Sequence, residues 1–409
     1  MSKPHDKKKV AVFVESELDE MIRSSFVFVL RIKSNLDYLH INNLYDINYI
    51  NINKFKTEDL LENDIFIFYR AQFFLPSIRR IVRFLKSIDK KIIYDIDDYY
   101  LDIPSYSFSG HLGYGKRKGY FIDNLNDSDL IVVSTDFLKE TLSGYNKNIV
   151  VVENTLPEYH FRERSFSGET VRILITSNDN LKIISFKNDF LKCLREIKKI
   201  FNNKIELIFL GKFSNVDNLE DIADKFYDRM TPELYRDYLN NNSINIGLVP
   251  LGGEEDPVTL LSHSCKSNIK FLEFADFGIA GIYSDVEPYK SLGSRKGGIV
   301  VENNYDHWLN AIRKLINSQE LCSEIIENSR AIVREKYMKD HSQEKFLKVL
   351  NSLAVSENGK LNVSYKVFIS YLLIVLYKKD ILIQRLNFII FLLRSKKYKE
   401  IYARIKGLV

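Results

Sequence analysis

Short apolar runs alternate along this chain with segments whose apolar residues recur every three or four positions. Val10–Val14, Ile47–Ile50, Asp64–Tyr69, Lys91–Asp95, Leu130–Val133 and Ile149–Val152 predict strands. Between two of them, Pro76–Ser87 places Ile78, Ile81, Val82 and Leu85 on one helical face. The alternation predicts βαβ units and a parallel sheet. The pattern then restarts. Val171–Ile175, Ile205–Leu210, Ile244–Val249, Gly281–Tyr283 and Gly298–Val301 predict a second sheet, with helices over 189–201, 306–316 and 319–336. Asn154-Thr155-Leu156-Pro157 and the polar stretch to Thr170 read as a linker.

The expected organisation is therefore an α/β chain of two Rossmann-like domains, 1–157 and 158–336. A helix within 337–362 returns to the first domain, and 363–409 forms a basic amphipathic helical extension. Ligands of open α/β sheets lie beyond the carboxyl ends of the strands. Two such halves facing each other would put a site in the cleft between them.

Composition narrows the picture modestly. The chain has 409 residues, of which 45% are hydrophobic, enough for two or three cored domains. Three scattered cysteines, Cys193, Cys265 and Cys322, offer neither a disulfide framework nor metal-finger spacing, so a reducing cytoplasm is expected. The N-terminal apolar run is too short for a signal peptide, and no run reaches the ~18 apolar residues that span a bilayer. From Glu357 onward there are eleven basic and three acidic residues, a net +8 that leaves −3 for the rest. Such a basic tail points to an anionic surface, and a membrane fits it better than nucleic acid, because its aromatics are not spaced as a stacking platform. The extension reads equally as an interfacial helix pair on an anionic leaflet or as a helical cap on the first domain.

Lys266 to Ile279 is the most informative stretch. It predicts a helix with Ser267 or Asn268 at its start and Ile269, Leu272 and Phe277 toward a core. Lys266 and Lys270 stand beside a helix end that already favours anions, and Glu273 lies one turn deeper. Phosphates at the lysines with ribose hydroxyls at the glutamate would suit a nucleotide. An ordinary wet helix face is the plainer alternative.

Leu272-Glu273-Phe274-Ala275-x-x-Gly278-Ile279 resembles the nucleotide-sugar motif of the group-1, family 4 retaining glycosyltransferases. Lys266-Ser267-x-x-Lys270-Phe271-Leu272-Glu273, together with Asp95-Ile96-Asp97-Asp98, is similar to a bacterial polysaccharide-type subgroup. The resemblance covers roughly 60–340. It implies the GT-B fold, sugar transfer from a nucleotide-diphosphate donor to a glycan or lipid-linked glycan, and no metal or other cofactor. It implies that Glu273 holds ribose. The family has a second glutamate eight positions upstream, where this chain has Cys265. That departure leaves room for a non-catalytic partner of a transferase complex.

Other candidates are looser. Lys266, Lys270, Ser177 and Ser267 would meet the donor, with Lys182 near Ser177. Asp97 and Asp98 would orient or deprotonate an acceptor hydroxyl, or merely cap a turn. Arg70 would meet an acceptor phosphate. His111, in a Gly-bearing loop, would reach the donor sugar, as the resemblance implies. Ser134-Thr135 reads chiefly as a helix cap.

Overall fold

A computed structural model describes residues 7–70, 74–102, 117–156, 158–162, 170–177, 186–211, 213, 219–252, 256–353 and 363–394. The chain divides into two compact units. The first comprises Met1–Leu18, Asp37–Val151 and Leu347–Val409, and the second Asp19–Leu36 and Val152–Phe346.

The first unit carries six parallel strands: β1 (Lys9–Val14), β2 (Asp46–Asn51), β3 (Ile65–Tyr69), β4 (Lys91–Ile96), β5 (Leu130–Val133) and β6 (Ile149–Val151). Their order is β2-β1-β3-β4-β5-β6, so the sheet reverses direction of growth between β1 and β3. Val10 to Phe13 and Ile65 to Phe68 are fully buried. Strands covered on both faces read as unbroken apolar runs, which is why these were visible in the sequence. Helix α1 (Pro76–Ser87) starts on a proline in its first turn and buries Ile78, Ile81, Val82 and Leu85. Helix α2 (Lys118–Asp127) buries Phe121, which stacks on Phe74 at 4.5 Å.

The second unit repeats the scheme with β7 (Val171–Ser177), β8 (Ile205–Gly211), β9 (Lys225–Tyr227), β10 (Ile246–Val249), β11 (Ala280–Ser284) and β12 (Ile299–Val301). The order β12-β11-β10-β7-β8-β9 is the doubly wound dinucleotide-fold order, with its switch point between β7 and β10. Its helices are α3 (Lys187–Phe201), α4 (Pro232–Asn241), α5 (Pro257–Ser264), α6 (Ile269–Phe277), α7 (Tyr305–Asn317) and α8 (Gln319–Lys336). Trp308 on α7 packs edge-on against Phe190 on α3, and both are fully buried. Two details differ from the sequence reading. Strand β9 was not expected, since three residues are too few to show alternation. The strand expected from Ile244 begins at Ile246, because the Ile244 N–H turns back to the Asn242 carbonyl.

Helices α9 (Lys339–Asn351) and α10 (Val363–Arg394) end the described chain. Among the described residues the extension is one long helix, not a pair. Ser370, Leu373, Ile374 and Tyr377 of α10 are buried, Tyr377 meets Phe55 edge-on at 5.6 Å, and Asp380 accepts the Ser77 N–H at 2.9 Å. Helix α10 thus caps the first unit along α1.

Candidate functional site

In the second unit, helix α6 follows β10 and returns to β11, so its start lies toward the carboxyl end of the sheet. Residues 271–277 are all buried. Phe274 lies over β10 so closely that a Cβ on Gly247 would fall 2.2 Å from its ring. Gly278 ends the helix in the left-handed conformation at φ 64°, a role that suits glycine. Asp276, unfavourable by charge at a helix C-terminus, is compensated by the N–H groups of His160 and Phe161 at 2.5 and 3.0 Å. The linker is thereby fastened to the helix.

At the start of α6, Lys270 donates to Glu273 at 2.7 Å, one turn away. Tyr235 of α4 joins them: its hydroxyl donates to Glu273 at 3.2 Å and accepts from Lys270 at 3.3 Å, and the ammonium lies 4.6 Å from its ring centre. Glu273 is 4% exposed. Burial opposes the Lys270 charge, but the Glu273 carboxylate outweighs it and raises the ammonium above its ordinary range. The Lys270 side chain keeps 23% exposure, so that burial is incomplete. Burial, followed by the Glu273 charge, pushes the Tyr235 hydroxyl up. Tyr289, stacked on Tyr283 at 4.7 Å, feels both Lys270 and Glu273.

The capping expectation is corrected. Asn268 occupies the N-cap position without a side-chain cap bond, and the Ser267 hydroxyl accepts from the Asn154 amide at 2.7 Å instead. Asn154 in turn accepts from the buried Arg31 at 2.9 Å, which also donates to the Val152 carbonyl. Arg31 lies on a π-helical turn, Val29–Lys33. Its partners stand 121 and 123 positions away, beyond the reach of any local motif. Lys266 lies in the turn before α6, its N–H bonded to the His263 carbonyl at 3.2 Å. Cys265 is fully buried as the C-cap of α5. Ser177 is the last residue of β7.

The first unit gathers a second polar cluster at its strand ends. Arg70 follows β3 and Asp97 follows β4. The guanidinium donates twice to the carboxylate, Nε at 2.8 Å and NH2 at 2.7 Å. Arg70 adopts φ 54°, an uncommon left-handed conformation for a non-glycine residue. Its carbonyl accepts the Tyr94 hydroxyl, and its guanidinium lies 5.3 Å from the Tyr69 ring centre. Burial opposes the Arg70 charge, yet Asp97 holds the guanidinium well above its ordinary range. Burial also pushes the Tyr94 and Tyr100 hydroxyls up. Glu15 follows β1 on the other side of the switch point. Desolvation by the surrounding protein pushes its carboxyl up, and the Arg70 charge opposes this. The residue is itself solvent-exposed, and water favours the ionised form.

Asp98 is half-buried beside this cluster. Asp97 is engaged by Arg70 through both carboxylate oxygens. Thr135 caps the helix Asp136–Leu142 by accepting the Leu138 N–H at 3.2 Å, as expected, while Ser134 donates to the Asp97 carbonyl at 3.3 Å. His111 and Lys182 lie outside the described residues. Sequence reasoning missed Tyr235, Arg31 and Asn154, since none lies near the motif they serve.

No protein-family model matches the chain, and no curated protein matches it in sequence. Solved structures do resemble it. HepE of Anabaena, solved with UDP and glucose, gives a TM-score of 0.55 at 10% identity over 85% of this chain and 100% of that one. The α,α-trehalose 6-phosphate synthase of Burkholderia multivorans gives 0.53 at 10% identity, over 85% and 98%. TarM gives 0.52 at 17% identity, over 70% of this chain and 54% of TarM, so the chain spans about half the length of TarM. These likenesses show that the two parallel sheets form a GT-B fold, to which this chain adds the helical C-terminal region described above.

Proposed function

We propose that this chain transfers a sugar from a nucleotide-diphosphate donor to a glycan or lipid-linked glycan in surface polysaccharide synthesis. The observation that carries the reading is the Lys270–Glu273–Tyr235 cluster at the start of α6. The carboxylate is held in a dry setting where ribose hydroxyls would gain from bonding it. The lysine is a flexible point charge bonded once to Glu273 and once to the Tyr235 hydroxyl, so it can leave the carboxylate for a diphosphate. Donor binding then exchanges partners: ribose hydroxyls replace Lys270 on Glu273, and Lys270 meets the phosphates. Fixed positive charge there stabilises the leaving diphosphate without requiring a metal. Lys266, Ser267 and Ser177 complete the donor side of the proposal.

On the acceptor side we assign Asp98 to orient the attacking hydroxyl; His111, outside the described residues, keeps the proposed role of reaching the donor sugar. Asp97, locked by Arg70, serves as the support that fixes this loop. Retention of configuration and a place in the bacterial polysaccharide subgroup follow from the motif resemblance. A second reading, a donor-binding subunit without catalysis, is favoured by Cys265. A fully buried thiol replaces a carboxylate that would touch the donor sugar.

Incubation of the purified protein with nucleotide sugars and glycan acceptors separates the two. The proposal expects nucleotide diphosphate release that falls at least about 100-fold in both Lys270→Ala and Glu273→Ala, a loss of the size seen when a group stabilising transition-state charge is removed. Binding without release would favour the subunit reading, and release unchanged in both variants would refute the site.

A further inference from the structure

Helix α10 is apolar on two opposite sides, and among the described residues one of them packs against the first unit while the other is exposed. Ser370, Leu373, Ile374 and Tyr377 face inward and are buried. Phe368, Tyr371, Leu372, Val375, Leu382 and Leu386 are exposed, Phe368 at 62% and Tyr371 at 65%. At 3.6 residues per turn these six fall on the side opposite the buried set. Exposed apolar stripes of this length mark interaction surfaces. Lys378, Lys379 and Arg385 are exposed beside the stripe. Asp380, the sole acid between Val363 and Arg394, turns inward to the Ser77 N–H. The outward face is therefore apolar and purely cationic.

We infer that this face of α10 lies on an anionic membrane surface, its apolar side chains entering the headgroup boundary and its lysines meeting lipid phosphates. Charge decides the occupant. A second copy would bring the same cations against themselves. The chain beyond Arg394 carries five basic residues and one acidic residue, so it too would be repelled. An anionic leaflet matches both the apolar stripe and its charge. Among the described residues no helix is long and apolar enough to cross a membrane, so contact would be interfacial. The inference stands apart from sugar transfer, since attachment needs no catalysis.

Flotation of the full chain tests it. Vesicles of phosphatidylglycerol and phosphatidylcholine in equal parts are compared with phosphatidylcholine alone. The protein should float with the anionic vesicles, less so as salt rises. The triple variant Phe368→Ser, Leu372→Ser, Val375→Ser and the double variant Lys378→Glu, Lys379→Glu should each lower the bound fraction roughly tenfold. All five positions are exposed, and unchanged melting curves would confirm that the variants fold. Absence of flotation, or equal flotation by the folded variants, overturns the inference. So does a dimer in sedimentation that the serine variant dissolves, since the stripe would then mate with a second copy.

Discussion

Arg70 and Asp97 meet from two strand ends 27 positions apart, whereas Lys270 and Glu273 sit one turn apart on a single helix. Both are cation–carboxylate pairs at the carboxyl ends of parallel sheets, yet they differ in kind. The first is bidentate, set on a backbone in the left-handed region, with its carbonyl held by Tyr94. Two parallel bonds fix geometry and spend the charges on each other. The second is a single bond from a flexible stem, shared with Tyr235. Under the proposed function, a phosphate and a ribose would replace that bond. The difference teaches which pair is built as a rigid support and which one is built so that, under the proposed function, a ligand would take over its partners.

The sharpest way to break this comparison is to remove Asp97. Asp97→Ala strands a largely buried guanidinium and should cost about 3 kcal/mol of stability, measured by urea unfolding. Arg70→Met with Asp97→Leu should recover most of that, because no charge is left unpaired. A single-variant cost under about 1 kcal/mol would mean that the pair is ornamental and would erase the distinction.

A smaller effect concerns pH. Burial pushes the Cys193 and Cys322 thiols of the second unit up to about 12. A thiol whose folded pKa is raised stabilises fully below its unfolded value and loses that contribution as pH climbs toward the folded one. Stability should thus decline from about pH 9 upward, by roughly 1 kcal/mol for each thiol at pH 10. Cys193→Ala and Cys322→Ala should flatten that decline. A slope unchanged by both would assign it to other groups, the buried tyrosines first.

The comparison also explains what was legible in the sequence. Both sheets could be read because strands covered on both faces are continuous apolar runs. Lys270 and Glu273 could be read because helical periodicity alone brings them together. Arg70 and Asp97 each stood out at a strand end, but their pairing depends on two strands lying side by side. Tyr235 lies 38 positions from Glu273, and Asn154 lies 113 from Ser267; tertiary contact alone joins them. Helix α10 could be recognised as an apolar helix, but only packing could show which of its two faces is covered.

The account rests on a nucleotide sugar binding at Lys270 and Glu273, and thermal melting across a panel of nucleotide sugars tests this most directly. One of them, at about 100 times its dissociation constant, should add roughly 2.7 kcal/mol of stability to the parent chain. That gain should vanish in Glu273→Gln and in Lys270→Ala while Asp98→Asn retains it. If no nucleotide sugar stabilises the parent, or if both donor-side variants keep the full gain, the claim is contradicted.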